Sequence, residues 1–405
     1  MRLRTRRVAE VEIAALRVWL CGGERHSPLA GAACLAGRML DEGSKARDWR
    51  TVATAAEDRG ISVAAAGGYE VLGLALDGPV AELDRMIEWA AELALTPGFA
   101  PDRWSWQRQL AQAELAALED EPGAITGWRF LDQLYGNHPR GRPLAGTTAS
   151  LGQLEAEDSR QFHRQALANG VIIALAGAID EDEASRRLGE LFGSAARGQP
   201  GPLEEPVAPS TGERRRRVTL VGDQAHLFMG KRTVTRDHDD MPALELAAVV
   251  LGAGAGLAGR IPERVREREG LAYTASVDTV AGASRDEGRL VLYAATSAQR
   301  VDQAESSMRE ELERFVSLGA TEGELEAARS FLAGQEIFRR ETARQWAELL
   351  VEAEFTGLAL DSPDWATGRW AGVSLADVKA AAERWLDPED LVVTVGLPPE
   401  SNGSE

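Results

Sequence analysis

The sequence predicts an α+β protein of two duplicated α/β domains, each an antiparallel-rich sheet with helices packed mainly on one face. Three observations carry this. At 405 residues the chain exceeds one ordinary core. Hydrophobic periodicity vanishes near the middle, in "RGQPGPLEEPVAPSTGERRRR", where prolines and glycines sit among charges. The signals on either side of that break occur in the same order, and an internal duplication outweighs any single element. The expected organisation is therefore a first domain at 1–196, a linker at 197–216 and a second domain at 217–405.

The elements can be justified in order. In the first half, "EDRGISVAAAGGYEVLGLALDG" gives a glycine turn, an alternating strand and a second strand. "EREGLAYTASVDTVAGASRDEGRLVLYAAT" repeats this in the second half. A long amphipathic stretch follows each. Val80, Leu83, Ile87 and Ala90 stand at helical spacing; the pattern breaks between Thr96 and Pro101 and resumes. "LGATEGEL" marks the equivalent break in the second half. Each half then closes with a capped helix and a strand: "TASLGQLEAEDSRQFHRQALANGVIIALAGAID" and "AGVSLADVKAAAERWLDPEDLVVTVGLPP".

Composition excludes several classes. Apolar content of 44% and charged content of 27% are those of a globular protein. A net charge of -19 disfavours nucleic acid and fits basic or neutral polypeptides better. Cys21 and Cys34 are the only cysteines, so neither a disulfide framework nor a multi-cysteine metal site is expected. Glu10, Glu12 and Arg17 interrupt what would be the apolar core of a signal peptide. No apolar run reaches membrane-span length, and the expectation is a cytoplasmic protein without membrane contact. Arg214 to Arg217 read as a solvated strand entrance rather than a nucleic-acid patch. "GAGLAG", Gly254 to Gly259, formally matches a dinucleotide loop, but it follows the helical "MPALELAAVVL" instead of a strand and reads as a loop between helices.

The stretch "AGAACLAGRMLDEGS" followed by "ARDWRTVATAAEDRGISVAAAGGYEVLGLAL" resembles the pitrilysin/insulinase-type metallopeptidases, in particular short two-domain members related to the mitochondrial processing peptidase. The resemblance extends through "QLAQAELAALEDEPG" and "YGNHPRGRPLAGTTASL" to "LGAGAGLAGRIPERVREREGLAYTASV". In that family H-x-x-E-H places two imidazoles and a general base on one helix face. Here the resemblance puts Cys34 and Arg38 at the two His positions and Gly37 at the catalytic Glu. The distal carboxylate ligand falls on Glu114, eight residues before Pro122. Gly37 offers no base, and the Arg38 guanidinium only donates and repels a dication. One thiolate and one carboxylate do not complete a zinc site, and the histidines form no i, i+4 pair. No catalytic residue and no metal or other cofactor are therefore expected in this chain. Cys34 reads as a buried thiol rather than a nucleophile. Glu114 shares the i, i+4 row with Leu110 and Leu118, so a partly buried position is expected, with an ion pair to Arg38 in the space of the metal.

The second half departs less from the family. "R-E-x-x-G-L-A-Y" keeps the Arg and the Tyr that reach substrate near the scissile bond, at Arg266 and Tyr273. A cationic fork and a phenolic donor can hold peptide carbonyls and stabilise an oxyanion. The resemblance implies a proteolytically inactive subunit of a heterodimer, binding an unstructured peptide opposite a partner that carries H-x-x-E-H and the zinc. The competing expectation is a scaffold or peptide-binding protein of the same fold without a peptidase role.

Overall fold

The computed structural model describes residues 1–8, 12–193, 214–253, 259–358 and 365–399. Most of the expected linker and most of the "GAGLAG" loop lie outside the described residues. Strand β6 already begins at Arg215, inside the segment read as linker.

The first sheet contains β1 (Arg2–Arg7), β2 (Ile13–Cys21), β3 (Ser62–Gly67), β4 (Val71–Pro79) and β5 (Val171–Gly177) in the order β1-β5-β2-β4-β3. The second contains β6 (Arg215–Thr219), β7 (Gln224–Arg232), β8 (Ala272–Ala281), β9 (Arg289–Ser297) and β10 (Val392–Leu397) in the order β6-β10-β7-β9-β8. The duplication is thus realised strand for strand. In each sheet one edge pair is parallel, β1 with β5 and β6 with β10, and every other pair is antiparallel. The two hairpins read from the sequence are β3–β4 and β8–β9, and each places its first strand on a sheet edge.

Side-chain alternation along the strands builds the core. On β2, Ala14, Leu16, Val18 and Leu20 face a helical layer that includes Leu83–Leu95, with Ile87 and Ala90 buried against them. Ala15, Trp19 and Cys21 face the opposite way and meet the helix Ala343–Thr356, through Ala347, Leu350 and Phe355. Arg17 lies on that second face, 3% exposed, and its charge is met by Asp77 at 2.8 Å and by Glu348. The helix that covers this face thus supplies one of the two carboxylates that meet the buried guanidinium.

The second sheet repeats the plan. Ala225, Leu227 and Met229 on β7 face one helical layer, while Phe228 turns toward Phe130 and Leu134 of the helix Pro122–Tyr135. That helix approaches closely because Gly127 stands over the Phe228 ring, where an added Cβ would be 3.2 Å from Cζ. As a result both compact units are discontinuous in sequence. The first comprises Met1–Ala116, Arg142–Glu204 and Ile337–Leu360; the second comprises Ala117–Gly141, Glu205–Glu336 and Asp361–Glu405. Each sheet carries its helices mainly on one face and receives a single helix from the other half of the sequence on the reverse face.

Candidate functional site

The helix Ala32–Arg38 starts at Gly31, whose φ of 91° suits glycine, and its residues up to Gly37 are buried. It crosses the end of the edge strand β3. A Cβ on Gly37 would lie 2.1 Å from the Gly67 amide nitrogen, and one on Gly67 would lie 2.3 Å from the Ala33 carbonyl oxygen. The absent side chain at Gly37, the residue that the resemblance sets at the catalytic base, is therefore a packing requirement. The backbone of β3 at Ala66 and Gly67 occupies the room that a glutamate at Gly37 would need.

Arg38 and Glu114 meet in the expected ion pair. Arg38 Nη1 donates to Glu114 Oε1 at 3.1 Å and Nη2 donates to Oε2. Their side chains are 20% and 47% exposed. The fork raises the Arg38 pKa further, chiefly through the hydrogen bond to Glu114. Glu114 is more exposed than its i, i+4 row implied: the helix Pro101–Glu119 buries Trp104, Ala111 and Leu115 instead, and Leu110 is 39% exposed. Cys34, 3% exposed, is a buried thiol, and burial pushes its pKa up against the pull of Arg38. Among the described residues no cluster of His, Cys, Asp and Glu could hold a metal. The donor set does not fit zinc, because its one surviving carboxylate is engaged by a guanidinium.

Sequence reasoning missed Glu24. It is fully buried at the start of this helix, where Oε1 accepts the Gly31 amide at 2.8 Å and Arg142 Nη2 at 3.3 Å. Among the described residues its Oε2 has no hydrogen-bond partner. Burial pushes its pKa up to about 7, opposed by the Gly31 hydrogen bond and by Arg142. A lone Glu in "CGGERHS" gives no sign of this, since its burial comes from contacts distant in sequence.

The retained pair lies in the second unit. The turn of Glu263–Arg268 presents Arg266, and Gly270, at φ 60°, reverses the chain into β8. The β8–β9 register shifts between Ala272, opposite Thr296, and Thr274, opposite Ala295, so Tyr273 is the extra residue of a β-bulge. A bulge re-aims its side chain, and Tyr273 is 80% exposed rather than sheet core. Arg266, Glu267, Gly270, Tyr273, Gln299 and Arg300 line a cleft of about 720 Å³. Within it, Arg266 Nε lies 3.5 Å from Glu267 Oε1. Two guanidiniums and a phenol thus converge on an open groove beside an edge strand.

Residues 4–148 match the insulinase family model, peptidase family M16, and residues 153–332 match the model described as the peptidase M16 inactive domain. An uncharacterised zinc protease of Mycobacterium bovis is 30% identical over 352 residues, covering 82% of this chain and 77% of that protein. This chain belongs to peptidase family M16. A Helicobacter pylori protein called a non-peptidase homolog is 23% identical over 368 residues, covering 90% of this M16 chain and 84% of its own length. The fold matches the crystal structure of a peptidase M16 inactive domain from Pseudomonas fluorescens, with a TM-score of 0.89 at 21% identity, over 98% of this chain and 95% of that one. A crystal structure of a Helicobacter pylori protease matches with a TM-score of 0.85 at 15% identity, over 96% and 95% of the two chains. Within this M16 chain, Cys34 and Gly37 lie in a packed helix, and Arg38 and Glu114 form a partly exposed ion pair. Arg266 and Tyr273 stay in an open cleft. Among the described residues no helix is long and apolar enough to cross a membrane.

Proposed function

We propose that this M16 chain is a proteolytically silent subunit. It pairs with a zinc-bearing H-x-x-E-H chain and supplies Arg266 and Tyr273 to hold an unstructured peptide. The contrast between the two sites carries this reading. Where a metal would sit, glycine-to-glycine packing and the Arg38–Glu114 pair leave no water-activating group. Tyr273, by contrast, is held outward by a bulge at a cleft that also contains Arg266. A scaffold has no use for an exposed phenol on a bulged edge strand, whereas a peptide-binding surface does.

In this reading the metal chemistry belongs to the partner. This chain's residues position the peptide: Arg266 donates to backbone carbonyls, the Tyr273 hydroxyl donates to the oxygen that gains charge, and the extended peptide is read mainly through its backbone. The test is reconstitution with a zinc-bearing M16 partner encoded in the same genome. Arg266→Ala together with Tyr273→Phe should lower kcat/KM of the mixed enzyme by about 100-fold or more. An unchanged rate in an active mixture favours the scaffold reading instead.

A further inference from the structure

The cleft around Tyr273 contains a second cation that the family resemblance did not single out. Arg300 immediately precedes the helix Val301–Leu318, and its Nη1 donates to the Gly270 carbonyl at 2.7 Å. That bond ties the guanidinium to the turn from which β8 departs. Nε and Nη2 have no protein partner among the described residues. Two arginines and one carboxylate, Glu267, line this cleft in a chain whose net charge is -19. The positive end of an 18-residue helix begins at the same wall. The cleft is therefore locally cationic although the protein is acidic, and the preference for basic peptides that total charge implies does not apply to it.

We infer that the cleft is a carboxylate-binding site in which Arg300 is the specificity-determining residue, and that the peptide it takes presents a carboxylate there, from its C-terminus or from an Asp or Glu side chain. The inference rests on the peptide-binding reading and names its substrate class. A guanidinium tethered through one nitrogen still offers a two-pronged edge, the geometry that a carboxylate accepts best. Ser297 and Gln299, on the same wall, add neutral donors. An extended peptide lying by Tyr273 would bring its anionic group onto Arg300 while its backbone stays within reach of Arg266.

The test uses the full chain and three fluorescein-labelled unstructured decapeptides: one neutral with a free C-terminus, one neutral with an amidated C-terminus, and one amidated with a single internal Glu. Fluorescence anisotropy should show a carboxylate-bearing peptide binding about fivefold to tenfold more tightly than the neutral amide, with the advantage shrinking as salt is added. Comparison of the two carboxylate peptides identifies the source of the anion. Arg300→Gln should erase the advantage of the carboxylate peptides over the neutral amide, and Arg300→Lys should retain part of it. Equal affinity for all three peptides, or an advantage that survives Arg300→Gln, overturns the carboxylate assignment and leaves peptide binding intact. If no peptide binds at any salt concentration, the peptide-binding reading falls and the inference falls with it.

Discussion

Gly37 and Gly67 meet backbone to backbone where the helix Ala32–Arg38 crosses the edge strand β3, and neither position has room for a Cβ without displacing main-chain atoms. This contact gives the helix a packing role that needs no metal ligand. The helix serves as a cover for the end of the sheet.

Substitutions at Gly37 should therefore cost stability and return no chemistry. Gly37→Ala is expected to destabilise the chain by about 1–3 kcal/mol, because the obstructing atoms belong to the backbone. Urea denaturation measures this. The triple variant Cys34→His, Gly37→Glu, Arg38→His should be less stable still and should bind no zinc in metal analysis. A stable triple variant with one zinc per chain would show that the space remains open.

The Arg38–Glu114 pair should matter little to stability. Both side chains are partly exposed, at 20% and 47%, and pairs of that kind contribute about 0–1 kcal/mol. Glu114→Gln should shift the unfolding free energy by no more than this, less at high salt. A loss of about 3–5 kcal/mol, the scale expected for a broken buried pair, would contradict the exposed geometry.

Glu24 should introduce a pH dependence of the opposite sign to that of most carboxylates. Its folded pKa, about 7, lies above the ordinary glutamate value of about 4.5. The folded state therefore binds more protons than the unfolded state between those values. Its stabilising effect is complete below about pH 4.5 and declines as pH rises through 7. Asp41, also raised by burial to about 7, acts in the same direction. Glu24→Gln keeps an oxygen for the Gly31 amide and should be more stable than the parent at pH 8, by about 2–3 kcal/mol, with little difference at pH 4.5. Chemical denaturation at both pH values checks this; an equal effect at both would mean that Glu24 is not protonated on folding.

Much of this architecture was legible in the sequence. The hairpins, the paired helices with their breaks, and the duplication all come from local periodicity and turn chemistry, which the sequence carries directly. The two helices on the reverse faces were not legible as such, because Ala343–Thr356 and Pro122–Tyr135 are amphipathic like any other helix and only tertiary packing assigns them a sheet. The same holds within the site. Motif positions located Arg38, Glu114, Arg266 and Tyr273, but the exposure of Glu114, the bulge at Tyr273, the glycine contact at Gly67 and the burial of Glu24 depend on partners far along the chain. Arg300 stayed out of view because its place in the cleft depends on a turn 30 residues earlier in sequence.

The central claim is that peptide hydrolysis cannot originate in this chain and that its contribution is made at Arg266 and Tyr273. The most direct measurement is zinc content and chelator-sensitive cleavage of unstructured peptides by the purified chain, alone and after mixing with a zinc-bearing M16 partner. The account predicts no bound zinc and no cleavage by the chain alone, with cleavage only in the mixture. Stoichiometric zinc, or chelator-sensitive cleavage by the chain alone, would contradict it.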